Sequence, residues 1–394
     1  MFGISSSKEK EELMLVFDVG SSSVGGAFFV AQKSSIPRLI FSLREPIALE
    51  EKINIDIDRF LLLTIKSLET VASKICLRGI GAPSEVFCVL SSPWHVSQTR
   101  TVNLEKNTPF IFTPELASSL IDKEVKFFED EHLAQYENDA GGIRSIELKN
   151  MKVMLNGYEA PNPVNQKAKM LSMTLFFSMS PEIFLKKIEE AICRYFHCPR
   201  IKFSSFTMAS FTIVRDLFIN QRDFLLVDIR GELTDISMIK QDILKETASF
   251  PMGLNFIIRG IAFALNCSLD EARSFFSLYK EGHASKLVEK RIGPIILFLK
   301  AEWLRKFQES LSNLSNDISI PANVFITANP ELADFFIEII KKEQFNQYSF
   351  TESKFQITFL GTETLHGLAT FKENVVRDPA LIIESIYINR YLLK

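Results

Sequence analysis

The stretch LVFDVGSSSVGGAFFV, residues 15–30, is two apolar runs joined by an acid, a glycine and three serines. Leu15, Val16 and Phe17 read as a buried strand, and Val24 to Val30 as a second one. Between them Asp18 breaks the apolar run, and Gly20 frees the backbone to turn. Ser21, Ser22 and Ser23 bring hydroxyls and amides to the tip. An acid beside a concave turn of small residues suits a phosphate with its metal. An ordinary hairpin whose turn holds Gly and Ser accounts for the same letters.

The pattern recurs. VFDVGSSSVGGAFF, residues 16–29, is matched by LVDIRGELTDISMI, residues 226–239. In both, a buried strand ends in an acid, a turn of small residues follows and a second strand begins. Two such hairpins facing across a cleft would grip a nucleotide's phosphates from both sides. Asp18 and Asp228 would then hold Mg²⁺ through water, because that ion uses few carboxylates and keeps much of its hydration. The metal and the turn amides would offset the phosphate charge.

The totals limit what else the chain can be. Its 394 residues suggest about two to four domains. An apolar fraction of 46% with 24% charged residues is that of a globular protein. A net charge of −3 gives no field for nucleic acid. Phe occurs 35 times against 7 Tyr and 2 Trp, which fits thick cores and apolar partner surfaces rather than a base-stacking platform. The five Cys (Cys76, Cys88, Cys193, Cys198, Cys267) are scattered, as in a reducing cytosol. CRYFHC, with Cys193, His197 and Cys198, lacks a further ligand group and reads as core. The His residues are dispersed and form no nucleophile–base pair. MFGISSSKEKEE is a polar tail without a signal-peptide core. No run reaches the ~18–20 apolar residues of a membrane span. IGPIILFL, at residues 292–299, is too short and is followed by Lys300 and Glu302.

Along the chain, residues 12–34 read as a hairpin and PRLIFSLREPIAL as a third strand. DIDRFLLLTIKSLETVASKI is a helix, and SEVFCVLSSPWHVSQTRTVNL returns to strand. Near residue 105 a compact α+β unit begins. Its first helix opens with Thr113 as N-cap, Pro114 and Glu115. AGGIRSIELKNMKVMLNGYEA is strand up to the Asn156-Gly157 turn. A further strand leads to a helix with a Ser-Pro-Glu start at residue 180. The acidic run at 127–139 reads as a solvated helix end. After the second hairpin come a third strand, a helix with a Ser268–Glu271 capping box, a long helix, and a strand–turn–helix in ANVFITANPELADFFIEII. The last helix has Asp378 as N-cap and Pro379 at its first position. Its wide apolar arc is expected to pack on the second lobe rather than lie on a membrane.

These features together resemble the actin-like ATPase superfamily, in its FtsA/PilM branch. FDVGSSSV resembles that family's first phosphate hairpin, and VDIRGELTDI its second. SFPMGLNFIIRGIAFAL, with Gly253, is similar to the segment that follows. NPVNQKAKMLSMTLFFSM with SPEIFLKKIEEAI resembles an SHS2-type insertion. VFITANPELADFF stands where the family has its adenosine motif. The resemblance runs from about residue 12 to 390. It implies an α/β fold of two actin-like (ribonuclease H-like) lobes with an inserted SHS2-type α+β subdomain. The implied parts are a tail at 1–11, a first lobe at 12–84 completed by 199–222, and the insertion at 85–198. A second lobe follows at 223–394, with a helical subdomain near 251–318.

The implied ligands are ATP and Mg²⁺. Asp18, Gly20, Ser21, Ser22, Ser23, Asp228, Gly231, Thr234, Gly253 and Thr327 would contact the nucleotide, and Asp18 and Asp228 the metal. The sequence departs from the pattern at two turns. Arg230, Glu232 and Leu233 stand in a turn that is usually glycine-rich, and Arg230 either attracts phosphate or fills its place. Thr327-Ala328-Asn329-Pro330 replaces the consecutive glycines of the adenosine turn. These changes weaken the case for hydrolysis. The implied role is a cytoplasmic scaffold at the inner face of a membrane that organises pilus assembly or a division ring. Its partner would be a cytoplasmic peptide of a membrane protein or a cytoskeletal filament, with self-association as a further expectation. ATP would act as a latch between lobes. A kinase-type enzyme and a self-polymerising filament are the competing readings.

Overall fold

The computed structural model describes residues 12–32, 36–50, 56–133, 142–197, 200–314, 319–342 and 354–393. The expected tail, Cys198 and the part of the acidic run beyond residue 133 lie outside the described residues.

The opening stretch forms β1 (Glu12–Val19) and β2 (Ser23–Ala31), paired antiparallel so that Asp18 faces Gly25. β3 (Arg38–Pro46) continues the meander. α1 (Ile57–Cys76) starts at Asp56, whose side chain accepts a bond from Arg59 N, and buries Phe60, Leu68, Val71 and Ile75 at helical spacing. It lies so close to β2 that a Cβ on Gly26 would come within 2.5 Å of Ile75. β4 (Glu85–Leu90) then pairs parallel to β1.

The inserted unit follows: β5 (Val96–Ile111), α2 (Pro114–Leu133), β6 (Ile143–Leu155), β7 (Tyr158–Glu159) and β8 (Lys167–Pro181), in the sheet order β5-β8-β6-β7. Asn156 and Gly157 both take positive φ at the β6–β7 turn, as a tight hairpin requires. α2 covers one face of the sheet, with Phe112, Val153, Met173 and Phe177 in the core between them.

The chain returns through α3 (Glu182–Phe196), β9 (Ile201–Ser205) and α4 (Phe206–Leu217), and β9 pairs parallel to β4. The second sheet is built from β10 (Phe224–Ile229), β11 (Thr234–Lys240) and β12 (Ile243–Phe250), then α5 (Leu254–Leu265), α6 (Leu269–Lys280), α7 (Lys286–Leu314), β13 (Asn323–Ala328), α8 (Pro330–Lys342) and β14 (Gln356–Phe359). Its order is β12-β11-β10-β13-β14. The three helices α5–α7 share one core with it, centred on Trp303, Phe307, Ile257 and Val227. The Ser268–Glu271 capping box is formed. β15 (Thr370–Phe371) and α9 (Pro379–Tyr387) complete the fold, and α9 runs on as a π-helical turn to Leu392.

Four expectations are corrected by these contacts. β4 belongs to the first sheet, and α3 packs its Leu185, Ile188 and Ile192 into the core under α1, so the insertion spans residues 96–181 rather than 85–198. β15 pairs with β3, so the last stretch of the chain leaves the second lobe for the first sheet. α9 also packs away from the expected lobe: Leu381, Ile382 and Ile386 are buried with Met14, Val16 and Phe29 beside α4. That same core takes Phe224, Leu226 and Phe325 from the second sheet, so α4 and α9 fill the space between the lobes. Finally, Ser180 does not cap α3: its hydroxyl donates to Trp94 O at 2.7 Å, and Pro181 holds the cap position.

Candidate functional site

The two hairpins meet at the cleft between the lobes. Asp18 ends β1 and is fully buried. Its neighbour across the pair is Gly25, and the missing side chain there lets Arg44 of β3 lie across the strand. A Cβ at Gly25 would come within 2.8 Å of Arg44 Nη2. Arg44 Nη2 donates to Asp18 Oδ2 at 2.7 Å, and Nη1 to Ser23 Oγ at 3.0 Å. Its Nε donates to Asp378 Oδ2 at 2.6 Å, while Asp378 Oδ1 caps α9 at Leu381 N.

Asp228 ends β10 in the same way. Arg230 Nε donates to both of its oxygens, at 3.0 and 2.9 Å, and Nη1 reaches across the cleft to Asp18 Oδ2 at 3.3 Å. The guanidinium carbon of Arg230 sits 4.2 Å from the centre of the Phe206 ring. Thr327 Oγ1, at the end of β13, donates to Asp228 Oδ1 at 2.7 Å. One continuous relay therefore runs from Thr327 through Asp228, Arg230, Asp18 and Arg44 to Asp378.

The turns themselves touch. Glu232 N donates to Ser21 Oγ at 3.1 Å. A Cβ on Gly231 would lie 2.6 Å from Ser22 Cβ and 2.9 Å from Ser21 O. Gly253 sits beneath the second turn, where a Cβ would lie 2.2 Å from Arg230 O. From there Leu254 N and Asn255 N donate to the carbonyls of Arg230 and Gly231 at 3.0 and 2.8 Å. Glu232 turns its carboxylate to α5, accepting from Asn255 Nδ2 at 2.7 Å and from Arg259 at 2.6 and 2.8 Å. Its charge is thus compensated inside the second lobe. Thr234 Oγ1 donates to Met252 O at 2.8 Å. Gly20 offers its carbonyl to Trp94 Nε1 at 3.0 Å.

Burial sets the local electrostatics. It pushes the Asp228 carboxyl up, and Arg230 offsets that only in part. Burial opposes the charges of Arg44 and Arg230 too, but the surrounding aspartates outweigh it and hold both protonated. At Asp378 burial is outweighed by Arg44, so its carboxyl lies below the usual range. Glu384 of α9 is fully buried, and neither of its oxygens has a hydrogen-bond partner among the described residues. Burial first, and then Asp18, raises its carboxyl well above the usual range.

A cavity of about 680 Å³ opens beside the relay. Of the residues expected at a nucleotide, Ser22, Ser23, Asp228 and Thr327 line it, as does the Ala328-Asn329-Pro330 turn. Asp18, Gly20, Ser21, Gly231, Thr234 and Gly253 lie behind this surface. Its volume suits a nucleotide-sized molecule. Hydrated Mg²⁺ between the hairpins is another matter, because the ion needs free carboxylate oxygens with phosphate oxygens beside them. Asp18 Oδ2 is shared by two guanidinium groups, and both oxygens of Asp228 face Arg230. Asp18 Oδ1 has no partner among the described residues, but it is buried. The donor set in this arrangement does not fit the ion. Among the described residues no group of three His, Cys, Asp or Glu side chains is placed to hold a metal.

Sequence reasoning missed Arg44, Arg259 and the second role of Asp378. The signal for Arg44 was Gly25-Gly26 inside a strand, which marks close approach of a neighbour on each face.

No family model matches the chain, and no curated protein matches it. Solved structures do. A PilM–PilN type IV pilus biogenesis complex superposes with a TM-score of 0.57 at 13% identity, covering 96% of this chain and 97% of that one. The ethanolamine utilization protein EutJ from Carboxydothermus hydrogenoformans gives 0.45 at 12% identity, over 96% and 91% of the two chains. A Bacteroides thetaiotaomicron protein of unknown function with an actin-like ATPase fold gives 0.40 at 10%, over 97% and 99%. At such identities the likeness is one of fold. The duplicated hairpins, the two sheets and the cleft between them give this chain a two-lobed actin-like α/β fold with an α+β insertion.

Proposed function

We propose that this protein is a scaffold that recruits a protein partner through its insertion, at a membrane-associated assembly of the type IV pilus kind. The observation that carries the reading is the inserted sheet. α2 covers one face; on the other, the distal half is left uncovered, with Asn103, Glu105 and Met170 exposed and Lys152, Met154 and Ser172 half-buried. Cross-strand pairs bring these residues together: Asn103 opposite Ser172, Glu105 opposite Met170, and Met154 opposite Ser172. A mixed apolar and charged strip of this kind suits an extended peptide or a helix with matching charge. The likeness in fold to a protein solved together with PilN favours a pilus assembly over a division ring. No described helix is long and apolar enough to cross a membrane, so on this reading the protein reaches the membrane through its partner. It works in the cytoplasm, with the cleft serving the shape of the scaffold rather than turnover of ATP.

The test is a binding assay with peptides tiled across a PilN-type protein of the same organism. Micromolar binding by one peptide, weakened at least about tenfold by Met170→Glu, is the expected result. No binding by any tile, or binding indifferent to Met170→Glu and Lys152→Glu, contradicts the reading.

A further inference from the structure

We propose that Arg44 and Arg230 are a built-in cation: they clasp the two lobes through the hairpin acids, so that closure and any occupancy of the cleft cavity need no divalent metal. This goes beyond the recruiting role and stands or falls independently of which partner is bound.

Asp18 and Asp228 end strands of different lobes and converge in a buried space, where two unpaired carboxylates repel. Something positive has to stand between them. Arg230 comes from the turn of the second hairpin itself, takes Asp228 on Nε and crosses to Asp18 with Nη1. Arg44 takes Asp18 from the other side and ties it to Asp378 at the start of α9. Two guanidinium groups face three aspartates.

The geometry suits arginine better than a metal. A planar guanidinium offers several donors in fixed directions and sheds water more readily than Mg²⁺. Both side chains are held in place: Arg230 is 12% exposed and lies on Phe206, and Arg44 is 26% exposed and tied to Ser23. The contact of Gly231 with Ser21 and Ser22 closes the gap between the turns that phosphates and their metal would enter.

The experiment is thermal unfolding of the full chain in EDTA, in Mg²⁺, and in each with millimolar ATP. Closure by arginine gives midpoints in EDTA and Mg²⁺ within about 1 °C, and any shift from ATP is equal in the two buffers. A rise of several degrees that requires Mg²⁺ overturns the proposal. Arg230→Gln supplies the second arm. Leaving Asp228 without its ion pair, and Asp18 with Arg44 alone, lowers the midpoint by roughly 4–6 °C, and added Mg²⁺ recovers part of the loss. A variant with the wild-type midpoint and no response to Mg²⁺ overturns the proposal. Should Arg230→Gln fail to fold, Arg44→Lys, which keeps the charge and loses the fork, takes its place with the same two outcomes.

Discussion

An added Cβ at Gly20, in the turn of β1–β2, would find its nearest neighbour, Ser23 O, at 3.5 Å; at Gly231, in the turn of β10–β11, it would lie 2.6 Å from Ser22 Cβ. The two hairpins share a plan, with an acid at the end of a buried strand and an antiparallel return. They differ in what the turn does. Both close on a bond of their own, Gly20 N to Ser23 O at 3.2 Å and Arg230 N to Leu233 O at 3.0 Å, and the first presents serines. The second is wedged between the first turn and the start of α5, and carries a cation of its own. The duplicated motif therefore repeats one backbone plan, and the side chains of its two copies grip each other across the cleft.

That contrast can be broken by mutation, most forcefully where charge is buried. Arg259→Met strips Glu232 of its ion pair in a site where both side chains are under 10% exposed. A loss of about 3 kcal/mol is expected in denaturant unfolding. The corresponding position of the first turn, Ser22, carries no such charge.

Next come the glycines. Gly231→Ala and Gly253→Ala press a methyl onto backbone atoms that cannot yield without moving the other lobe or α5, and should each cost about 1–3 kcal/mol. Gly20→Ala meets only ordinary contacts and should stay within about 0.5 kcal/mol of wild type. Equal costs in the two turns would remove the distinction between them.

A smaller effect sharpens the comparison through pH. Asp235 of β11 pairs with Asp228 across the hairpin, and burial pushes its carboxyl up to about 6 from an ordinary 3.8. A raised carboxyl stabilises the fold at low pH, and that contribution is lost as pH rises through about 6. Asp235→Asn should therefore be more stable than wild type at pH 8, by about 2–3 kcal/mol, and should match it near pH 4. A midpoint difference that does not change with pH would contradict the assignment.

Much of the fold was legible because it is written locally. The repeated strand–acid–turn pattern, the Thr113 and Asp378 caps and the Ser268–Glu271 box are all present in the structure. What escaped was written in partners. β8 runs without a break from the insertion to the edge of α3, so no composition change marks where the insertion ends. The apolar arc of α9 says that the helix is buried but not against which lobe. At the site, the acids were visible because an acid at the end of a buried strand is unusual. Arg44 was not, because in SLREP it reads as a surface charge until pairing of β2 with β3 sets it opposite Gly25.

The central claim is that the two hairpins hold each other directly across the cleft. A double-mutant cycle between Asp18→Asn and Arg230→Gln, read by denaturant unfolding, tests it most directly. The relay predicts a coupling of about 1–3 kcal/mol between two residues 212 positions apart in sequence. Effects that add to within about 0.3 kcal/mol would mean that the two side chains do not act together, and the clasp would be contradicted.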